Sequence, residues 1–136
     1  MILIYRLGHY LTVSGSVFRF LNQPLKYLMQ VLSGCHIDFS AEIGQRLHLA
    51  HPSGVIIGKG VRIGDDVVLY QHVTLGGRSK LNPEYPVVAN AATLYANCVV
   101  LGAVSIGEQA TVGACCLVLE NIPANATVYG TPGKIA

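Results

Sequence analysis

The sequence has no tryptophan, three phenylalanines and only 12% charged residues among its 136 positions. With so little charge and a formal balance of +2, it lacks the clustered basic stripe and the aromatic stacking platform of a nucleic-acid surface, which excludes that class of partner. No apolar run approaches the ~20 residues of a membrane span, because Arg6, His9 and Arg19 interrupt the stretch from Met1 to Phe20. The same stretch lacks the basic start and small-residue cleavage site of an export signal. An interfacial helix is the one membrane role left to it, and a cytoplasmic location is the expectation. The four cysteines, Cys35, Cys98, Cys115 and Cys116, show no metal-type pair spacing, so buried free thiols are expected and a metal is not.

Hydrophobic residues are abundant at 51%, and they fall in a beat of six. The anchors are Ile37, Ile43, Leu49, Ile57, Ile63, Leu69, Leu75, Val88, Leu94, Val100, Ile106, Val112 and Val118. Ile, Leu and Val make up about three in ten residues, so such a series would arise by chance about once in several million tries. Two positions before the anchors stand Cys35, Ala41, Leu47, Val55, Val61, Val67, Val73, Pro86, Ala92, Cys98, Val104, Ala110 and Cys116, mostly small side chains that pair with a large one. One position after them, Gly44, Gly58, Gly64, Gly76, Gly107 and Gly113 are expected to turn corners with positive φ. A six-residue period is the signature of a parallel β-helix, in which three hexads make a triangular coil and stacking buries what one coil cannot. So apolar a composition also predicts an oligomer, since large apolar patches are uncommon on monomers.

Three segments follow: a helical segment at 1–34, coils at 35–120 and an extended tail at 121–136. The first helix is expected over Ile2 to Leu11, with a break at Ser14-Gly15-Ser16. A second runs to about Leu32, begun or kinked at Pro24 and closed by Gly34. The beat breaks twice, and loops held by a rigid scaffold are where function concentrates. From Leu49 to Ile57 the step is eight, beside His51-Pro52-Ser53-Gly54, and from Leu75 to Val88 it is thirteen, so Gly76 to Tyr85 must project.

Tyr5-Arg6-Leu7-Gly8-His9, His51-Pro52-Ser53-Gly54-Val55-Ile56-Ile57-Gly58, Val73-Thr74-Leu75-Gly76-Gly77 and Tyr129-Gly130-Thr131-Pro132-Gly133-Lys134 together resemble the serine O-acetyltransferases, members of the hexapeptide-repeat acyltransferases. The resemblance implies a left-handed parallel β-helix behind a short helical segment, acetyl-CoA as donor, a hydroxyl acceptor, and a homotrimer with active sites between subunits. The family's long N-terminal helical domain, which pairs two trimers, is not matched, so a simple trimer is expected. His51 matches the general base, and a neutral imidazole can take a proton from an alcohol as it attacks a thioester. By matched position CoA would meet Gly77, Ala96, Gly102, Ala114 and Lys134, the small residues admitting the pantetheine arm and the lysine facing phosphate. His72 could line the same cleft, while His48 and His9 read as solvated and packing residues.

The pattern also departs from the family's. Where it has an aspartate orienting the histidine this chain has His36, which leaves Asp38 as the candidate partner. Ala50 replaces an acidic residue that helps hold serine, and Glu84 and Tyr85 replace an Arg-His pair that binds the serine carboxylate. Glu84 would repel a carboxylate, and Tyr85 could stack on a pyranose. These departures favour a sugar or polysaccharide precursor as acceptor, with serine as the alternative and a catalytically inactive trimeric scaffold as the second alternative. His36, Glu84 and Tyr85 are the expected acceptor contacts.

Overall fold

The computed structural model describes residues 1–15, 17–79, 81 and 84–130. Helix α1 (Ile2–Val13) and helix α2 (Asn22–Ser33) are joined through a 3-10 turn at Val17–Leu21. Pro24 lies in the first turn of α2, where a backbone N–H has no intrahelical partner, so it starts the helix without kinking it. Gly34 ends α2 in a left-handed cap, φ 64°, its N–H donating to Gln30 O.

Short parallel strands follow: β1 (His36–Ile37), β2 (Glu42–Ile43), β3 (His48–Leu49), β4 (Ile56–Ile57), β5 (Arg62–Ile63), β6 (Val68–Leu69), β7 (Thr74–Gly76), β8 (Val87–Val88), β9 (Thr93–Leu94), β10 (Val99–Leu101), β11 (Ser105–Ile106), β12 (Thr111–Val112), β13 (Leu117–Val118) and β14 (Thr127–Val128). Every third strand pairs, which makes three faces of a prism: β1-β4-β7-β10-β13, then β2-β5-β8-β11, then β3-β6-β9-β12-β14. Anchors meet anchors in register, Ile37 with Ile57, Leu75 with Val100 and Leu69 with Leu94. All of the anchors but the half-buried Leu49 are buried, as are the small residues two positions before them. The stack continues into the segment expected as tail, since Ile122 bridges to Ile106 and β14 pairs with β12.

The glycines do not do what the sequence suggested. Positive φ falls three positions after an anchor, on Arg46, Asp66, His72, Ala91, Asn97, Gln109, Cys115 and Asn125, and not on Gly44, Gly58, Gly64, Gly76, Gly107 or Gly113. Several of those glycines are required by close approach instead: a Cβ on Gly107 would strike the Pro123–Ala124 backbone, and one on Gly44 the backbone of Gly64.

In a parallel stack some of the first coil's carbonyls point away from the second coil, and α1 covers four of them. Tyr5 Oη donates to Ala41 O at 2.7 Å, Arg6 to Ile43 O at 2.6 Å and to Gly44 O, and His9 Nδ1 to Phe39 O at 2.8 Å. Burial pushes the Tyr5 phenol up, which keeps this donor protonated. The Tyr5-Arg6-His9 motif is thus a lid on the prism. Cys35, Cys98 and Cys116 are buried thiols and Cys115 is exposed. Burial first, with the neighbouring Cys116 adding to it, pushes Cys98 up to about 12, so it is inert as a nucleophile.

Candidate active site at a prism corner

His51 stands where the chain passes from the third face to the first, in the insertion of two residues. The insertion is tied by three backbone hydrogen bonds: Ala50 N donates to Leu69 O at 3.0 Å, Ser53 N to His51 O at 2.8 Å, and Gly54 N to Ser33 O at 3.1 Å. His72 N donates to Ser53 O at 2.9 Å. Gly54 has φ 63°, and the His72 ring occupies the space where a Cβ would go. His72 is held in turn by Asn97, Nδ1 to Oδ1 at 3.3 Å. The structure therefore brings His72 to the His51 loop.

The His51 ring is exposed, and no hydrogen bond reaches it from the described residues of its own chain. Its recorded contact is with the Tyr70 ring, centroids 6.1 Å apart at 65°, and Tyr70 stacks on Tyr95 at 4.8 Å and 23°. Neither tyrosine was singled out from the sequence. Their signal was available: Ala50, Tyr70 and Tyr95 each follow the third anchor of a coil, and Leu49, Leu69 and Leu94 are in register.

The expected partnership of Asp38 with His51 is not formed. Asp38 lies at the next corner, between the first and second faces, where it accepts from Ser40 Oγ at 2.6 Å, Ser40 N at 2.9 Å and Lys26 Nζ at 3.1 Å. Burial works to raise this carboxyl, but the Ser40 hydrogen bonds and Lys26 together outweigh it and hold the group below the usual carboxylate range. Asp38 fastens α2 to the first coil. His36 projects outward from β1, which pairs with the β4 strand that His51's loop enters. His48 also projects outward, and no group of three or more His, Cys, Asp or Glu side chains among the described residues is close enough to hold a metal.

The residues expected to meet CoA divide between two corners. Ala96 and Ala114 follow β9 and β12 at the His51 corner, in the same place in their coils as His51 in its own. Gly77 and Gly102 follow β7 and β10 at the adjacent corner, where Gly102 has φ 89° and lies against Arg78. Lys134 lies outside the described residues. Glu84 and Tyr85 are also at that adjacent corner. Glu84 is exposed, and Tyr85 lays its ring on Gly60 and is half-buried against the core. One side of its ring is thereby packed on the coil. A single chain thus splits the expected site across the two edges of its first face.

A serine acetyltransferase of Helicobacter pylori (strain ATCC 700392 / 26695) is 37% identical over 134 residues, 98% of this chain and 77% of the relative. The chain belongs to the serine acetyltransferase family. Its members are acetyl-CoA-dependent O-acetyltransferases built on hexapeptide coils. The chain also superposes on the soybean serine acetyltransferase complexed with serine, with a TM-score of 0.86 and 30% identity over 98% of this chain and 54% of that one. A serine acetyltransferase in complex with CoA gives a TM-score of 0.86 and 30% identity, over 99% of this chain and 55% of that one. The chain spans about half the length of these solved relatives. No family model matches it. The fold is the left-handed parallel β-helix of the family, which is the usual exception to right-handed crossovers. No described helix is long and apolar enough to cross a membrane.

Proposed function

We propose that this protein transfers the acetyl group of acetyl-CoA to the hydroxyl of L-serine, with His51 as general base. The observation that supports the reading is the placement of His51: in a chain of this family, an exposed imidazole with no hydrogen bond to the described residues of its own chain stands on a loop held by backbone hydrogen bonds at Ala50, Ser53 and Gly54. As the serine Oγ attacks the thioester carbonyl, an imidazole nitrogen takes the hydroxyl proton. The tetrahedral adduct collapses, the C–S bond breaks, and the imidazolium returns the proton to the departing CoA sulfur. Positioned proton transfer of this kind is worth about 10²- to 10⁴-fold. The products are O-acetylserine and CoA.

The active unit in this reading is a homotrimer in the cytoplasm. An outward row on the first face, Ile56 at 43% exposed and Leu117 at 60% exposed, is apolar surface for a neighbour to cover. Such packing would set the His51 corner of one subunit opposite the Gly77, Gly102, Glu84 corner of the next and reunite the divided site. Ala96, Ala114, Gly77 and Gly102 would then line the pantetheine groove, with Lys134 towards phosphate.

A sugar hydroxyl is the second reading, favoured by one feature: the exposed Glu84 where a carboxylate-bearing acceptor would arrive, with no counter-charge from Ala50. The test is CoA release from acetyl-CoA by the purified protein, with L-serine and with a panel of nucleotide sugars. Turnover with serine is the expected result. Turnover with sugars alone would replace the first reading by the second, and none with either would mean a binding scaffold.

A further inference from the structure

A base on an exposed loop must be aimed, and among the described residues no carboxylate bonds the His51 ring, Asp38 being committed to Ser40 and Lys26 at another corner. We propose that Tyr70 is the positioning residue of His51, its ring fixing the imidazole that the reading above makes the general base. The coil geometry places Tyr70 beside the start of the His51 loop. Leu49 and Leu69 are in register, as are Leu69 and Leu94, so Ala50, Tyr70 and Tyr95 follow one another up the corner. Neighbouring strands lie about 4.7–4.9 Å apart, and the Tyr70 and Tyr95 rings repeat that spacing at 4.8 Å, nearly parallel at 23°.

Below Tyr70 the ladder stops at the methyl group of Ala50. The next residue, His51, turns its ring back to the column, 6.1 Å from Tyr70 at 65°, an edge-to-face pair. Tyr70 is half-buried, whereas Tyr95 is 40% exposed and acts as the outer backing plate. A rigid pair of rings thus limits the rotation of an imidazole that no own-chain hydrogen bond restrains among the described residues. Misplacement of a reacting group by about 1 Å can cost 10²-fold in rate, so loss of one of its supports should slow the chemical step without loosening substrate binding.

The experiment compares kcat and KM for CoA release in wild type, Tyr70→Leu, Tyr70→Phe, His51→Ala and the His51→Ala/Tyr70→Leu double variant, with the acceptor that wild type uses. Tyr70→Leu should lower kcat about tenfold and leave the KM for acetyl-CoA within about twofold. Tyr70→Phe should restore wild-type kcat, because the ring and not the hydroxyl makes the contact, and the double variant should be no slower than His51→Ala. Wild-type kcat in a folded Tyr70→Leu, or a Tyr70→Phe as slow as Tyr70→Leu, would overturn the inference while leaving His51 as base. Wild-type kcat in His51→Ala would instead overturn the general-base reading. Should Tyr70→Leu fail to fold, Tyr95→Leu removes the backing plate from the exposed side; a loss of about threefold in kcat supports the inference, and no change overturns it.

Discussion

Between Leu49 and Ile57 the chain leaves the prism for two extra residues and is held by backbone hydrogen bonds at Ala50, Ser53 and Gly54; between Gly76 and Val88 it leaves for longer, and among its described residues Arg78, Tyr85 and Pro86 meet the coils. In the first loop Ala50, Ser53 and Gly54 all donate backbone hydrogen bonds, and Ser53 O accepts from His72. In the second, Arg78 rests on Gly102, Tyr85 on Gly60, and Pro86 O accepts from Arg62 N, while Leu81 is 93% exposed. Under the proposed function the difference matches two demands. A proton-transfer group has to be held within a fraction of an ångström, whereas a loop that chooses the acceptor can change side chains without disturbing the coils.

The most severe challenge to this contrast is His51→Ala, which should lower kcat by about 10²- to 10⁴-fold with little change in melting temperature, because the side chain is exposed. Next comes a matched pair of loop substitutions. Gly54→Ala forces a positive φ on a side chain and drives it into the His72 ring, so it should cost about 1–3 kcal/mol of stability and at least about tenfold in kcat. Leu81→Ala in the long loop should stay within about 0.5 kcal/mol of wild type, read by thermal denaturation. Equal effects in the two would break the comparison.

A smaller change is expected of Glu84→Arg, which replaces repulsion by attraction for a carboxylate. The KM for L-serine should fall about threefold, in line with the modest value of exposed charge pairs, while kcat and melting temperature remain those of wild type. The smallest effect on activity belongs to Asp38→Asn, whose kcat should equal that of wild type. Its effect is on stability and depends on pH. The folded-state carboxyl is depressed, so its stabilisation is present above the ordinary carboxylate value of ~3.9 and is lost as pH falls through the lower folded value. The gap in melting temperature between wild type and Asp38→Asn should be open at pH 7 and close in strong acid.

Periodicity made the prism legible because each interior position is occupied by a residue of the right size, from Ile37 to Val118, and stacking leaves little freedom for anything else. It could not separate a residue one place after an anchor from one three places after, since both recur every six. The corner φ was therefore assigned to Gly44 and its equivalents instead of Arg46, Asp66 and Asn97. His51 was legible because it breaks the rhythm. Asp38 was misread because it lies only two residues after His36, the position that matches the orienting aspartate, yet in those two residues the chain has run along β1 to the next corner. Tyr70 escaped notice for the converse reason, being far in sequence but one coil away in space.

In the proposed reaction the short insertion carries the chemistry and the long excursion carries acceptor choice. Its most direct test is steady-state CoA release with L-serine by His51→Ala and Glu84→Arg, each against wild type. His51→Ala should show a collapse of kcat, and Glu84→Arg a change in acceptor KM alone. Wild-type kcat in His51→Ala, or a collapse of kcat in Glu84→Arg, would contradict it.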